Sequence, residues 1–211
     1  MPLVSRLPDP WRRIVDWLVT ITIAILFVLA FEAKVAKPYR IPSASMETTL
    51  HCARPATGCV ASTSDRVLVN RLAYDFSGPQ RGQIVVFKAP AKASGCAAGD
   101  GGSIFVKRLV GLPDETVRED HNGFIWIRRA GASTWTKLGE PYLSSQSRVA
   151  DSSHFGQIWH VPKGEYFMLG DNRANSCDSR SWGSVPRGSL IGPVIFTYWP
   201  PVRLSYHAGG W

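Results

Sequence analysis

Residues Ile14 to Phe31 read IVDWLVTITIAILFVLAF, an apolar run of 18 residues whose one charge, Asp16, lies near its start. As a helix this run is about 27 Å long, close to the roughly 30 Å hydrocarbon core of a bilayer. A secretory signal peptide is the competing reading. It would have a shorter apolar region and a small-x-small cleavage site after it. Here the run is followed by the charged segment Glu32-Ala33-Lys34-Val35-Ala36-Lys37, so a retained anchor is expected. Lys and Arg occur on both sides: Arg6, Arg12 and Arg13 before the run, Lys34, Lys37 and Arg40 after it. Long domains translocate largely regardless of charge. The expected topology is a single pass through the cytoplasmic (inner) membrane, with residues 1–13 in the cytoplasm, 14–31 as the anchor and the body on the periplasmic, extracytoplasmic side.

The chain has 211 residues, enough for one medium domain or a core with an inserted subdomain. After the anchor no amphipathic helix of normal length stands out. Short β-branched runs bounded by turn residues recur instead, at Arg66–Asn70, Gln83–Phe87, Ser103–Val110, Glu165–Leu169 and Gly192–Trp199. Glu115–Asp120 and Phe124–Arg128 flank His121-Asn122-Gly123, a hairpin signal. The predicted fold is mainly β: an all-β catalytic core formed by residues 32–115 and 161–211, with a small inserted β subdomain over 116–160. The Ala/Gly-rich stretch Ala91–Gly102 reads as a mobile loop and lacks a phosphate-loop pattern. Net charge is +8, but no basic helix or zinc-finger spacing points to nucleic acid. The basic residues near the anchor and the eight tryptophans suit a lipid surface.

Directly beyond the anchor lies Pro42-Ser43-Ala44-Ser45-Met46-Glu47-Thr48-Thr49-Leu50. Taken alone it reads as a Ser/Thr-rich linker, or as a turn that presents Ser45 as a nucleophile. None of the five histidines, His51, His121, His154, His160 and His207, sits in a recognisable catalytic setting, and there is no Gly-x-Ser-x-Gly elbow. His and Cys spacings do not match a metal site, and no cofactor is expected. Another base is available in Phe105-Val106-Lys107-Arg108-Leu109-Val110-Gly111. Alternation puts Lys107, Leu109 and Gly111 on one face. Lys107 is then a surface lysine lying over apolar surface, or a desolvated amine whose pKa falls far enough to take a proton from serine. The polar stretch Gly170–Gly183 is a surface loop or a rigid support for such a pair.

Together these pieces resemble bacterial type I signal peptidase, the leader peptidase family. Pro42–Leu50 is similar to its Pro-Ser-x-Ser-Met-x-Pro-Thr-Leu box, with Thr48 for proline. Ser64–Leu72 and Arg81–Phe87 resemble the next boxes, with Gln83 for aspartate. Lys107–Pro113 looks like the lysine box, which continues here as Asp114-Glu115. Gly170–Arg180 closely matches Gly-Asp-Asn-Arg-x-Asn-Ser-x-Asp-Ser-Arg. The resemblance implies that Ser45 attacks the scissile carbonyl and Lys107 serves as general base and then acid. It implies an oxyanion hole of the Ser45 N–H and the Ser43 hydroxyl, a hydrogen bond from Ser176 that orients Lys107, and bracing of the loop by Asp178 and Arg180. The implied substrates are signal-peptide-bearing preproteins, cut after small residues at −1 and −3. Such a substrate would lie extended beside Pro38–Pro42. Four cysteines allow three full pairings. Cys52 with Cys59 would close a short loop, Cys96 lies in the mobile stretch, and Cys177 reads most simply as a small packing residue.

Overall fold

The computed structural model describes residues 9–96, 104–148, 154 and 156–207. The expected cytoplasmic segment 1–13 and the loop 91–102 therefore lie partly outside the described residues. Helix α1 (Asp9–Lys34) carries the apolar run and extends it at both ends. Its stretch Trp11–Phe31 is long and apolar enough to cross a membrane, and none of it is buried against the body. Trp17 is 70% exposed and Phe27 69%. Side chains this apolar gain by leaving water, and the stretch has the length of a bilayer crossing.

Among the described residues twelve strands and two four-residue α-helices follow. The strands are β1 (Ala36–Arg40), β2 (Arg66–Asn70), β3 (Ile84–Lys88), β4 (Ile104–Gly111), β5 (Thr116–Glu119), β6 (Ile125–Arg128), β7 (Thr136–Lys137), β8 (Ile158–His160), β9 (Glu165–Leu169), β10 (Val185–Pro186), β11 (Leu190–Trp199) and β12 (Ser205–Tyr206). The helices are α2 (Ala73–Phe76) and α3 (Ser179–Trp182). The expected mainly β architecture is what the chain forms. One sheet runs β1-β2-β11-β3-β4-β9-β10, with β12 paired to β11, and a second runs β7-β6-β5-β8. All of these pairings are antiparallel. The second sheet takes its strands from residues 116 to 160. Its β5–β6 hairpin turns at Asn122-Gly123, where Gly123 has φ 76°, a conformation that glycine adopts without strain.

β3 explains why the body needs so many continuous apolar runs. Ile84 and Val86 enter one core with Ile41, Met46, Leu50, Val67, Val69 and Val194. Val85 and Phe87 enter another with Leu109, Met168 and Trp182. A strand buried on both faces reads as an unbroken hydrophobic run rather than an alternation. A third cluster, with Val110, Val117, Ile127 and Phe167, takes side chains from strands of both sheets.

The segment Ala91–Cys96 is a 3-10 helix with Ala93 buried, not an irregular loop. It is held by a disulfide between Cys96 and Cys177. Cys177 is thus a cross-link rather than a simple packing residue. Cys52 and Cys59 form the second disulfide.

Candidate active site

Ser45 lies in the 3-10 turn Ala44–Met46, just after β1. Ala44 and Met46 are buried in the first core and fix the turn from both sides. The Glu47 N–H closes it on the Ala44 carbonyl at 3.1 Å, and the Leu50 N–H on the Met46 carbonyl at 2.8 Å. Ser45 itself is 8% exposed. Its Oγ lies 3.3 Å from Ser43 Oγ and accepts a hydrogen bond from Lys107 Nζ.

Lys107 is carried by β4, opposite Val85 of β3. Its neighbours Phe105 and Leu109 pack in the second core, and its Nζ lies 5.7 Å from the centre of the Phe105 ring. Burial strips hydration from the ammonium form and pushes the pKa down to about 8, although the carboxylates of Asp178 and Asp171 pull the other way. A lysine with this pKa is partly neutral near physiological pH and can act as a base.

The 170–183 loop sits against this pair. The Asn172 N–H donates to the Ser45 carbonyl at 3.1 Å, and Asn172 Nδ2 donates to the Ala44 carbonyl at 3.0 Å. Asp171 accepts from Arg108 Nε at 2.8 Å and Nη2 at 2.5 Å, and from Thr49 Oγ1 at 2.6 Å. One carboxylate therefore ties the strand of Lys107 to the segment of Ser45. The Arg108 guanidinium stacks 3.8 Å from the centre of the Tyr142 ring. Arg173, 1% exposed, pairs with the buried Glu140.

Asp178 caps α3 through the Arg180 N–H at 3.2 Å and accepts the Gly170 N–H at 3.1 Å. Arg180 returns two side-chain bonds to Asp178 and donates to Glu119 of β5 at 3.2 Å. Burial of these charges is tolerable because each is paired and hydrogen-bonded. Ser176 stands apart. Its Oγ is buried and makes no hydrogen bond among the described residues, so the implied bond to Lys107 is not among the contacts of this structure. Ser176 abuts Gly170, where an added Cβ would come 2.1 Å from its Oγ.

His51 Nδ1 is engaged by Glu47. His160 Nδ1 lies 3.2 Å from Thr116 Oγ1, and His207 Nε2 2.8 Å from Thr197 Oγ1. Among the described residues no group of His, Cys, Asp and Glu could hold a metal ion. Gln83 Oε1 accepts from Tyr74 Oη and the Gln80 N–H, both at 3.0 Å, and Asp114 adopts φ 64°. Both make local structure. Asp171, Asn172, Arg108 and Glu140 escaped the residue-level reading. They are ordinary polar residues in the sequence, and only the contacts they make across the fold set them apart.

Fold and site together define a serine hydrolase of mainly β architecture. Residues 14–199 match the family described as signal peptidase, peptidase S26; the chain belongs to that family and is a serine peptidase. It is 32% identical over 199 residues to the probable signal peptidase I-1 of Synechocystis sp., covering 94% of this chain and 89% of that one. It is also 32% identical over 204 residues to the signal peptidase I of Leptolyngbya laminosa, covering 97% of this chain and 88% of that one. A solved signal peptidase I from Enterococcus faecalis is 34% identical, covers 56% of this chain and 97% of its own, and superposes with a TM-score of 0.41.

Proposed function

We propose that this chain is a membrane-bound endopeptidase that removes signal peptides from exported preproteins with a Ser45–Lys107 dyad. The observation that carries this reading is the contact of the buried, pKa-lowered Lys107 amine with Ser45 Oγ. In the neutral amine form the bond reverses, and the Ser45 O–H donates to Nζ. As Oγ attacks the scissile carbonyl, its proton passes to Lys107. The oxyanion is held by the Ser45 N–H and the Ser43 hydroxyl. One such donor is worth about 3–4 kcal/mol in the transition state. The Lys107 ammonium then protonates the leaving amine, which departs with the mature protein. Lys107, neutral again, takes a proton from water; the resulting hydroxide attacks the acyl ester, and the proton returns to Ser45 Oγ.

Ser176 is the buried hydroxyl assigned to orient Lys107, and Asp178 with Arg180 to brace the loop behind it. β1 ends its sheet, so its outer edge is free to pair with an extended substrate beside Pro38–Pro42. Shallow apolar pockets there select small residues at −1 and −3. The chain passes once through the membrane with the body outside the cytoplasm, where the cut site of a translocating preprotein emerges. No metal, cofactor or nucleic acid takes part.

The test uses detergent-solubilised protein and a preprotein with an Ala-x-Ala site. Wild type should release the mature N-terminus. Ser45→Ala and Lys107→Ala should each lose about 10⁴-fold or more in kcat, the scale of loss on disabling a member of a catalytic triad, and Ser43→Ala about 10²–10³-fold. Equal cleavage by wild type, Ser45→Ala and Lys107→Ala would reject the dyad.

A further inference from the structure

At the foot of α1 an apolar groove of about 450 Å³ separates the helix from the main sheet. Phe27, Val28 and Phe31 form its helix wall. Pro38, Leu68 and Tyr198 form its sheet wall, over Ala36. The groove lies on the face of the sheet and not on the free edge of β1. Pro38 pairs with Leu68, and two residues further along each strand Arg40 pairs with Arg66. Side chains two apart share a face, so the arginine pair lies on the groove's face of the sheet, about 7 Å beyond the Pro38–Leu68 pair. The intervening Val67 and the next residue, Val69, are fully buried on the opposite face.

Arg40 and Arg66 are both exposed. Neither side chain makes an ion pair or a hydrogen bond among the described residues. Like charges directly opposite in an antiparallel pair are destabilising, and an anion between them removes that repulsion. Trp199 stands opposite Arg66 on the next strand. Trp prefers the headgroup level of a membrane. An apolar groove walled by a bilayer-length helix, with two unpaired guanidiniums about 7 Å further along the same sheet face and a tryptophan beside them, matches an amphiphile with one negative head.

We infer that this groove is a specific site for an anionic phospholipid, its acyl chain lying between α1 and the β1–β2 face and its phosphate between Arg40 and Arg66. The inference rests on the reading of α1 as a membrane span. It makes the negative lipid a bound partner that sets the height and tilt of the catalytic body over the bilayer, in place of a featureless surface.

The experiment is native mass spectrometry of the full chain in detergent with equimolar phosphatidylglycerol and phosphatidylcholine. Wild type should retain phosphatidylglycerol over phosphatidylcholine by roughly tenfold or more, the scale expected for two basic contacts. Arg40→Gln/Arg66→Gln should bring that ratio near one, Arg40→Lys/Arg66→Lys should keep most of it, and Leu68→Trp, which fills the groove, should lower retention of both lipids. Millimolar inorganic phosphate should leave the bound lipid in place. An unchanged ratio in the glutamine variant overturns the proposal. So does loss of the lipid to free phosphate, which would mean a bare anion site, or its displacement by a synthetic signal peptide, which would give the groove to substrate. Because the readout is bound lipid, these failures leave the peptidase reading intact. Failure of the span reading has its own signature, release of wild type from vesicles by alkaline carbonate.

Discussion

Asn172 grips Ser45 by its own carbonyl: the Asn172 N–H donates to Ser45 O at 3.1 Å while its side chain takes the neighbouring Ala44 O at 3.0 Å. Both carbonyls of the turn are thereby turned toward the 170–183 loop. The orientation of a peptide's carbonyl sets that of the N–H on its other end. The Ala44 carbonyl belongs to the same peptide as the Ser45 N–H, the proposed oxyanion donor. Asn172→Ala should therefore lower kcat by about 10–100-fold with KM little changed, since it loosens a transition-state donor and removes no substrate contact. Steady-state kinetics on a signal-peptide substrate checks this. A change confined to KM would count against it.

Gly170 lies where the loop and the serine turn touch. A Cβ there would stand 2.1 Å from Ser176 Oγ, 2.5 Å from Ser176 Cβ and 2.5 Å from the Ser45 carbonyl oxygen. The last contact is with backbone, which cannot rotate away. Gly170→Ala should cost about 1–3 kcal/mol of stability through overpacking and at least about tenfold in kcat, because the turn must shift. Thermal unfolding and kinetics on the same preparation separate the two effects.

Burial depresses the Lys107 pKa to about 8, and this has two consequences with definite signs. The base must be neutral, so kcat/KM should rise with pH along a limb centred near 8 and be about 100-fold below its plateau at pH 6. In stability the same burial is a cost. Below pH 8 the amine is protonated in both states, and the folded form bears the full penalty of holding a buried ammonium. Between pH 8 and the unfolded value of 10.5 the unfolded chain binds more protons, so stability rises with pH. Lys107→Met should be inactive and more stable at pH 7, by up to about 3 kcal/mol, and this gain should shrink toward pH 10. A variant less stable than wild type at pH 7 would contradict the assignment. Denaturant titrations at several pH values supply the measurement.

The Cys96–Cys177 bridge joins residues 81 apart and enters the 170–183 loop between Ser176 and Asp178. Cys96→Ala/Cys177→Ala should lower stability by about 2–4 kcal/mol. It should also lower kcat several-fold, because the segment carrying Ser176 loses its tether. Melting temperature and activity of the double variant against wild type check both, and activity unchanged under native conditions would show that the hydrogen bonds of Asp178 hold the loop without the bridge.

What could be read locally was legible in the sequence. The apolar run marked the core of α1, which extends beyond it at both ends. The β-branched runs marked β2, β3, β4, β9 and β11 to within a residue or two, because each carries its own hydrophobic pattern. Alternation in β4 put Lys107 with Leu109, apart from Arg108. The order of polar residues in 170–180 was visible, but not what each one bonds. Only tertiary structure decided the rest. Ser45 and Lys107 are 62 residues apart, and nothing local says that β4 presents its lysine to the turn after β1. The depressed pKa of Lys107 depends on neighbours from β4, the serine turn and the 170–183 loop. The same holds for Cys177, which looks like a small packing residue until the fold brings Cys96 to it, and for Arg40 and Arg66, which face each other only through the β1–β2 register. Periodicity is a property of a segment; desolvation, pairing and register are properties of two segments brought together, and these lower the pKa of an otherwise ordinary lysine.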